Sequence, residues 1–184
     1  MTARIALIGL SGAGKSTVAP LLAQRLGFAC TDLDDAMERA EGAPVAAILT
    51  SRGEDAFREL EADALRAALR EGGASPGVVI ACGAGVLSRP ENRALLGEGA
   101  FVVWLVVGPE TAARRLEGTA ASTRPLLRGG PVEERLRDQW EERRGLYAGA
   151  ADDSVQTDLL TPAGVAEAIE ALWKGRRSWG SSGS

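Results

Sequence analysis

A nine-residue run near the start of the chain, GLSGAGKST at positions 9–17, constrains the fold more than any other feature. It satisfies the pattern Gly-x4-Gly-Lys-Ser/Thr in full and lies between a predicted strand and a predicted helix. Its glycines let the backbone curl until successive N–H groups point at phosphate oxygens, and the helix start adds its positive end. The run therefore predicts a polyphosphate site. Lys15 would reach the β- and γ-phosphates, and the Ser16 hydroxyl would bind Mg²⁺.

Strand and helix patterns alternate along the whole chain, which predicts parallel strands joined by right-handed crossovers. We expect an α/β fold in which a five-stranded parallel sheet carries helices on both faces. Ligands of such sheets bind beyond the carboxyl ends of the strands. Strands are predicted at residues 4–10, 28–31, 78–82, 101–107 and 154–157. Helices are predicted at residues 15–26, 35–40, 44–50, 54–70, 90–96, 110–117, 131–146 and 162–173.

None of the 184 residues is a histidine, which limits the catalytic mechanisms and the metal sites that the chain can form. This absence removes the Ser-His-Asp and Cys-His mechanisms and the commonest zinc ligand. Any proton transfer must then use carboxylates, and any metal should be hard and bound by oxygen. The length fits one domain, which we expect to span residues 1–175, followed by a disordered tail over residues 176–184.

The charge and hydropathy of the chain indicate which classes of partner it can bind and in which compartment we expect it. A net charge of −4 argues against nonspecific nucleic-acid binding, which needs a broad basic surface. The apolar runs are far shorter than the ~20 residues that cross a bilayer, and the N-terminus lacks a secretory signal. Cys30 and Cys82 are too few for a disulfide framework. We therefore expect a cytoplasmic protein whose partners are small molecules rather than nucleic acid or membrane.

Three aspartates follow the second predicted strand, where residues 31–35 read TDLDD. Their simplest interpretation is helix capping, in which Asp35 could cap while Asp32 and Asp34 face a ligand. A carboxylate near a substrate hydroxyl can orient the hydroxyl and accept its proton. Because the third and fourth predicted strands end without an acid, Asp32 is the best-placed carboxylate to support a metal.

The other polar residues do not indicate a particular function when each is considered alone. Arg58 on a helix reads as a solvated residue paired with Glu54 or Glu61, and Arg143 reads as a surface charge. The GAG sequence at residues 83–85 reads as a tight turn after a strand. Residues 118–130 read as a mobile loop, from which Arg124 could stabilise charge on a moving phosphoryl group.

Together these segments resemble shikimate kinase over nearly the whole of residues 3–174. They occur in the family's order and at nearly its spacing. The matching segments are GLSGAGKST at 9–17, DLD at 32–34, FRELE at 57–61, GAG at 83–85, RPLL at 124–127, and Arg143 four residues before Tyr147. The resemblance implies a three-layer P-loop fold with strand order 2-3-1-4-5. It also implies a helical substrate-binding region at about residues 32–62, a lid at about residues 117–130, and a monomer.

The resemblance further implies an ATP- and Mg²⁺-dependent kinase that phosphorylates the 3-hydroxyl of shikimate. Arg58 and Arg143 would clamp the substrate carboxylate, as the guanidinium fork allows. Glu61 would orient Arg58. The implied catalytic residues are Asp34, Lys15 and Arg124. The implied nucleotide-binding residues are Gly12, Ala13, Gly14, Lys15, Ser16, Thr17, Arg115, Arg124 and Pro162. The implied substrate-binding residues are Asp34, Phe57, Arg58, Gly83, Ala84, Gly85 and Arg143, and the implied metal-binding residues are Ser16 and Asp32.

Three departures from the family pattern bear on specificity. Ala84 stands where the family usually has the second of three glycines, which adds a methyl group beside the substrate ring. Residues 157–162 lack the arginine often found near the adenine, although Pro162 remains and Arg115 could cover the other face. The stretch over residues 115–124 is slightly long. Two alternatives stay open: a related kinase for gluconate or a nucleoside monophosphate, and a nucleotide-binding regulator with little catalysis.

Overall fold

The computed structural model describes residues 3–70, 75–117 and 131–180 of the chain. The strands are β1 (Ala3–Ile8), β2 (Ala29–Asp32), β3 (Gly77–Ala81), β4 (Phe101–Val106) and β5 (Asp153–Gln156). The helices are α1 (Lys15–Leu26), α2 (Leu33–Glu41), α3 (Val45–Arg70), α4 (Pro90–Gly99), α5 (Pro109–Leu116), α6 (Val132–Ala150) and α7 (Pro162–Gly180). A short 3₁₀ turn over Val86–Ser88 follows β3.

The five strands form one parallel sheet in the order β2-β3-β1-β4-β5, as the sequence predicts. Ile5 in the central strand is paired with Val79 of β3 on one side and Phe101 of β4 on the other. Because all strands run the same way, their carboxyl ends meet at one edge. The segments that follow β1, β2 and β3 therefore lie side by side.

Both faces of the sheet are covered, so the strands are apolar on both sides. On one face, Leu7 and Leu105 belong to a cluster that includes Leu22 of α1 and Ile169 of α7. On the other face, Ile80 belongs to a second cluster, which contains Leu65, Leu96 and Tyr147. This gives the predicted three layers. Among the described helices, none is both long and apolar enough to cross a membrane.

Within residues 32–62, two elements differ from the sequence prediction. The helices predicted at residues 44–50 and 54–70 run together as α3, interrupted only at Gly53, where φ is 80° and ψ is 171°. Helix α2 begins two residues earlier than predicted because Asp32 caps it: its Oδ1 accepts a hydrogen bond from the N–H of Asp34 at 2.9 Å. The assignment of the cap to Asp35 is therefore wrong.

The C-terminal helix is longer than the predicted residues 162–173, since α7 continues to Gly180. The prediction of disorder from residue 176 therefore does not hold for residues 176–180. Arg176 explains the difference, because its Nη1 lies 2.7 Å from Asp152 Oδ1 and its guanidinium lies 5.0 Å from the Phe101 ring centroid. The remainder of the predicted tail lies outside the described residues. So do residues 118–130 of the predicted lid, including Arg124.

Candidate active site

A cleft of about 550 Å³ opens at the carboxyl edge of the sheet. It brings together most of the site residues that the sequence predicts. Those that line it are Gly12, Ala13, Gly14, Lys15, Ser16, Thr17, Asp32, Asp34, Phe57, Arg58, Gly83, Ala84, Gly85, Arg115 and Pro162. Arg143 is not part of the lining, although it contacts Ala84 directly.

The phosphate-binding loop between β1 and α1 is held in shape by close backbone contacts. A Cβ at Gly9 would lie 2.6 Å from the carbonyl oxygen of Leu105, and Gly12 adopts a φ of 82°, which disfavours side chains. Lys15 is only 7% exposed, and its Nζ donates to the carbonyl oxygens of Gly9 at 2.8 Å and Leu10 at 2.9 Å. The ammonium group is thus held at the mouth of the loop, where polyphosphate would arrive.

The part of the cleft beside Gly12 of the loop is built around Arg115 and Thr157. Arg115 Nη1 donates to Thr157 Oγ1 at 3.0 Å and lies 3.5 Å from the Gly12 carbonyl oxygen, while Nη2 donates to the Thr157 carbonyl. Thr157 is itself buried, and its hydroxyl donates to the Val106 carbonyl at 3.1 Å. Leu160 and other apolar side chains complete this part, which suits the flat face of a nucleotide base. Thr157 had no predicted role, because the last strand was predicted to include it, whereas β5 ends at Gln156.

Oxygen-bearing side chains gather beside the phosphate-binding loop. Ser16, Asp32 and Asp34 line the main cleft and also a neighbouring cavity of about 340 Å³. Among the described residues, no cluster of three or more His, Cys, Asp or Glu side chains could hold a metal by itself. A hydroxyl with one or two carboxylates fits Mg²⁺, which keeps several waters and takes its other oxygens from phosphate.

Arg58 is buried rather than solvated, so its interpretation as a surface residue is wrong. Only 6% of it is exposed, and its Nη1 donates to Glu61 Oε2 at 2.9 Å, with Glu54 Oε1 3.4 Å from Nη2. These contacts confirm the predicted pairing of Arg58 with Glu54 or Glu61. Residues three and four positions apart lie on the same face of a helix. Its guanidinium also lies 5.2 Å from the centroid of the Phe57 ring. The site thus holds this arginine in one orientation.

Glu61 is the deepest charged group of the site and is 1% exposed. Burial raises the pKa of its carboxyl, while the charge and hydrogen bond of Arg58, and then the charges of Arg143 and Arg89, lower it. A Cβ at Gly83 would lie 2.4 Å from Glu61 Oε1 and 3.4 Å from Asp34 Oδ1. The segment after β3 therefore packs directly on the carboxylates that organise the site.

Ala84 presents its carbonyl to helix α6. Tyr147 Oη donates to that oxygen at 2.7 Å, and Arg143 Nη1 donates to it at 3.3 Å. The two side chains meet one acceptor because residues four apart lie on the same face of a helix. Arg143 is half-buried here, so the interpretation of this residue as a surface charge is also wrong. Tyr147 had no predicted role beyond its place in the family pattern.

The arrangement joins two kinds of site in one cleft. A loop suited to polyphosphate lies in one part of the cleft. In another part, the charges of Arg58 and Arg143 both act on Glu61 and partly oppose the rise that burial causes in the pKa of its carboxyl. Guanidinium groups bind carboxylates and phosphates by paired hydrogen bonds. Asp34 lines the same cleft, and its Oδ1 lies near Gly83. Such a site can bring a nucleotide phosphate and an anionic acceptor together for phosphoryl transfer.

Known proteins match the chain along nearly all its length. A family model described as "Shikimate kinase" matches residues 11–173. The shikimate kinase of Nitratidesulfovibrio vulgaris is 43% identical over 171 residues, which cover 92% of this chain and 94% of that protein. The shikimate kinase of Symbiobacterium thermophilum is 41% identical and covers 91% of this chain and 95% of its own.

Solved structures agree with the sequence matches. The shikimate kinase from Acinetobacter baumannii in complex with shikimate has a TM-score of 0.87 and 30% identity, covering 96% of this chain and 95% of that one. A gluconokinase from Sinorhizobium meliloti has a TM-score of 0.59 and 20% identity over 99% of this chain and 98% of that one, a likeness of fold alone.

Proposed function

The chain belongs to the shikimate kinase family, and on that premise we propose that it transfers the γ-phosphoryl group of ATP to the 3-hydroxyl of shikimate. The products are shikimate 3-phosphate and ADP. One observation carries the proposal: a single cleft joins a phosphate-binding loop to a buried guanidinium, Arg58, held by Glu61. Shikimate carries the carboxylate that such a group recognises.

The nucleotide is assigned to the loop and to the wall beside it that Arg115 and Pro162 form. Lys15 would leave its carbonyl partners and bind the β- and γ-phosphates, while backbone N–H groups of residues 12–17 cradle them. Arg115 and Pro162 would lie on the two sides of the adenine. Thr157 supports this proposal because it fixes the Arg115 guanidinium next to the loop.

A magnesium ion would be held by Ser16 directly and by Asp32 through water. The donor set of a hydroxyl and a carboxylate suits this hard cation. The chemistry that bound Mg²⁺ supplies is charge neutralisation on the β- and γ-phosphates. The cap supports this assignment, because the bond from the Asp34 N–H to Asp32 Oδ1 restrains a carboxylate that lines the cleft with Ser16.

The acceptor end is assigned to residues from three elements. Arg58 and Arg143 would bind the carboxylate of shikimate, and backbone groups of Gly83, Ala84 and Gly85 would meet its other hydroxyls. Phe57 packs beside Arg58 at the same end. A guanidinium pair of this kind fixes the acceptor in one orientation, which brings a single hydroxyl to the phosphate.

Asp34 would take the proton of the hydroxyl that is phosphorylated. As the hydroxyl oxygen bonds to the γ-phosphorus, the bond from that phosphorus to the bridging oxygen of ADP breaks. The released proton passes to the Asp34 carboxylate, and the electron pair of the broken bond remains on ADP. Arg124, which lies outside the described residues, would stabilise the charge on the transferred group.

We extend the proposal to the organisation of the enzyme, as a single domain that acts as a monomer in the cytoplasm. Two observations support it: Cys30 and Cys82 are both free thiols, and the relatives match the chain over nearly their full length.

An acceptor panel tests the proposed function. Purified protein is given ATP and Mg²⁺ with shikimate, gluconate or a nucleoside monophosphate, and ADP formation is followed by a coupled assay. We expect turnover with shikimate only, which stops when Mg²⁺ is chelated. Turnover of gluconate without turnover of shikimate would refute the proposal.

A further inference from the structure

Tyr147 is the only tyrosine of the chain, and it is fully buried beneath the active site. Its ring stacks on Trp104, with 5.8 Å between centroids and 30° between planes. Its hydroxyl reaches out of this aromatic layer to the Ala84 carbonyl at 2.7 Å. A rigid ring thus carries one polar atom to one backbone oxygen of the acceptor end.

The bond to Ala84 also sets the direction of the next N–H group. In a trans peptide the C=O and the following N–H point in opposite directions, so the oxygen held by α6 turns the Gly85 N–H away from that helix. Gly85 lines the cleft, and its N–H meets no acceptor among residues 3–70, 75–117 and 131–180. An N–H group that faces the cleft and has no acceptor in the protein can donate to a hydroxyl of a bound ligand.

The same hydroxyl lies beside Arg143. That arginine donates to the same carbonyl at 3.3 Å, and its charge and hydrogen bond partly offset the effect of burial on the pKa of Tyr147. Both side chains lie on α6, four residues apart. Tyr147 therefore links the carboxylate-binding arginine to the backbone that faces the hydroxyls of the acceptor.

We infer that Tyr147 is a positioning residue for the acceptor: its hydroxyl fixes the Ala84–Gly85 peptide, with the Gly85 N–H directed into the cleft, and holds Arg143 beside it. This inference rests on the proposed function, because the acceptor in question is shikimate. Tyr147 touches neither substrate itself. It acts on acceptor binding and leaves nucleotide binding alone.

Tyr147→Phe tests the inference, because it removes one oxygen and keeps the ring that stacks on Trp104. One lost hydrogen bond predicts a rise of about 3- to 10-fold in the KM for shikimate. The kcat and the KM for ATP should stay within about twofold, since only uniform acceptor binding is removed. An unchanged KM for shikimate, or equal rises in both KM values, would overturn the inference.

Trp140→Phe is the matched control. Trp140 contacts Trp104 at 5.8 Å between centroids and belongs to the same aromatic layer, one ring away from Tyr147. This change should lower the melting temperature without raising the KM for shikimate. A rise equal to that of Tyr147→Phe would show that loosened packing, rather than the hydroxyl, is responsible.

A measurement on the unsubstituted chain covers the case in which Tyr147→Phe fails to fold. Because the chain has one tyrosine, growth on 3-fluorotyrosine places a single fluorine label at residue 147. Saturable displacement of the ¹⁹F resonance by shikimate, and none by an ATP analogue alone, is the expected result. No displacement by shikimate would overturn the inference.

The assay of the wild-type chain distinguishes a failure of the proposed function from a failure of the inference about Tyr147. A wild-type chain that ignores shikimate refutes the function, and the inference falls with it. An active wild type whose Tyr147→Phe variant shows unchanged kinetics overturns the inference alone.

Discussion

The guanidinium of Arg58 lies against the backbone of Gly85, so closely that a Cβ at this position would lie 2.4 Å from Nη1. Gly85 has an ordinary φ of −101°, so its backbone does not require glycine. Glycine is required because the guanidinium of Arg58 occupies the space that a side chain at residue 85 would fill. The absence of a side chain at residue 85 therefore determines where the guanidinium of Arg58, our proposed carboxylate-binding group, can lie.

Gly85→Ala should weaken shikimate binding without unfolding the protein. The Cβ would displace the end of a long side chain, which folding tolerates, but the guanidinium would leave its position beside Glu61. Since a misplaced positioning group costs up to about 100-fold, we expect kcat/KM for shikimate to fall by about 10- to 100-fold. The KM for ATP should not change. Steady-state kinetics with each substrate varied would measure both effects.

Gly97→Ala provides the comparison for that substitution. Gly97 lies in helix α4, and a Cβ there would meet nothing within 4 Å. Replacing a helical glycine by alanine stabilises by about 1 kcal/mol, so this variant should melt higher and keep full activity. If Gly85→Ala retained wild-type kinetics as well, the contact with Arg58 would have no functional importance.

Lys15→Ala should remove nucleotide binding and transfer together. The ammonium group would bind the β- and γ-phosphates, and it donates to the carbonyl oxygens of Gly9 and Leu10. We expect no ATP binding by calorimetry and a loss of at least about 100-fold in kcat/KM. Lys174→Ala is the control, because Lys174 is the other lysine and forms an exposed ion pair with Glu170. Equal loss in both variants would contradict the role of Lys15.

The sequence was sufficient to predict the sheet and the phosphate-binding loop. The five parallel strands follow from alternating strand and helix periods, and the loop follows from glycines at fixed offsets before Lys15. The order of the strands was implied only by the resemblance to shikimate kinase. The burial of Arg58 was not predictable in this way, because its helix position alone suits a surface ion pair. Burial arises from the packing of residues 83–85 against α3, a contact between segments that are distant in the chain.

The cap of α2 and the hydrogen bond from Tyr147 to Ala84 could not be predicted from local sequence patterns either. Asp32, Asp34 and Asp35 are equally good caps by residue type, and only the end of β2 decides that Asp32 takes the position. Tyr147 is separated by 63 residues from the carbonyl that it binds. No local pattern in the sequence indicates such a pair.

Asp34→Asn should abolish phosphoryl transfer while sparing ATP binding. The amide keeps the size of the side chain but cannot accept the hydroxyl proton, which predicts a loss of about 10²- to 10⁴-fold in kcat. Asp35→Asn, one residue further along α2 and exposed, should stay within about threefold of wild type. The two variants are compared by the coupled assay for kcat and by calorimetry for ATP affinity. Full activity of Asp34→Asn would remove this carboxylate from the mechanism.

Tyr147 should ionise late in an alkaline titration. Burial raises the pKa of its hydroxyl to about 12, although Arg143 lowers it in part. At pH 11, about 10% of Tyr147 should be tyrosinate, against about 90% of an ordinary tyrosine with a pKa near 10. Because the folded-state pKa is raised, the stability that the neutral hydroxyl contributes is complete below pH 10 and is lost as the pH rises towards 12.

The single tyrosine makes that titration direct, since the tyrosinate absorbance reports one residue. Circular dichroism at each pH would show that the chain is still folded. Half-ionisation near pH 10 in the folded protein would contradict the burial of this hydroxyl.

The central claim is that one cleft holds ATP and shikimate together, with the shikimate carboxylate on Arg58 and Arg143. A crystal structure with shikimate and a non-hydrolysable ATP analogue tests it most directly. We expect the phosphates on the loop around Lys15, the carboxylate between the two guanidinium groups, and one shikimate hydroxyl beside Asp34. Shikimate bound elsewhere, or with its carboxylate turned away from both arginines, would contradict the account.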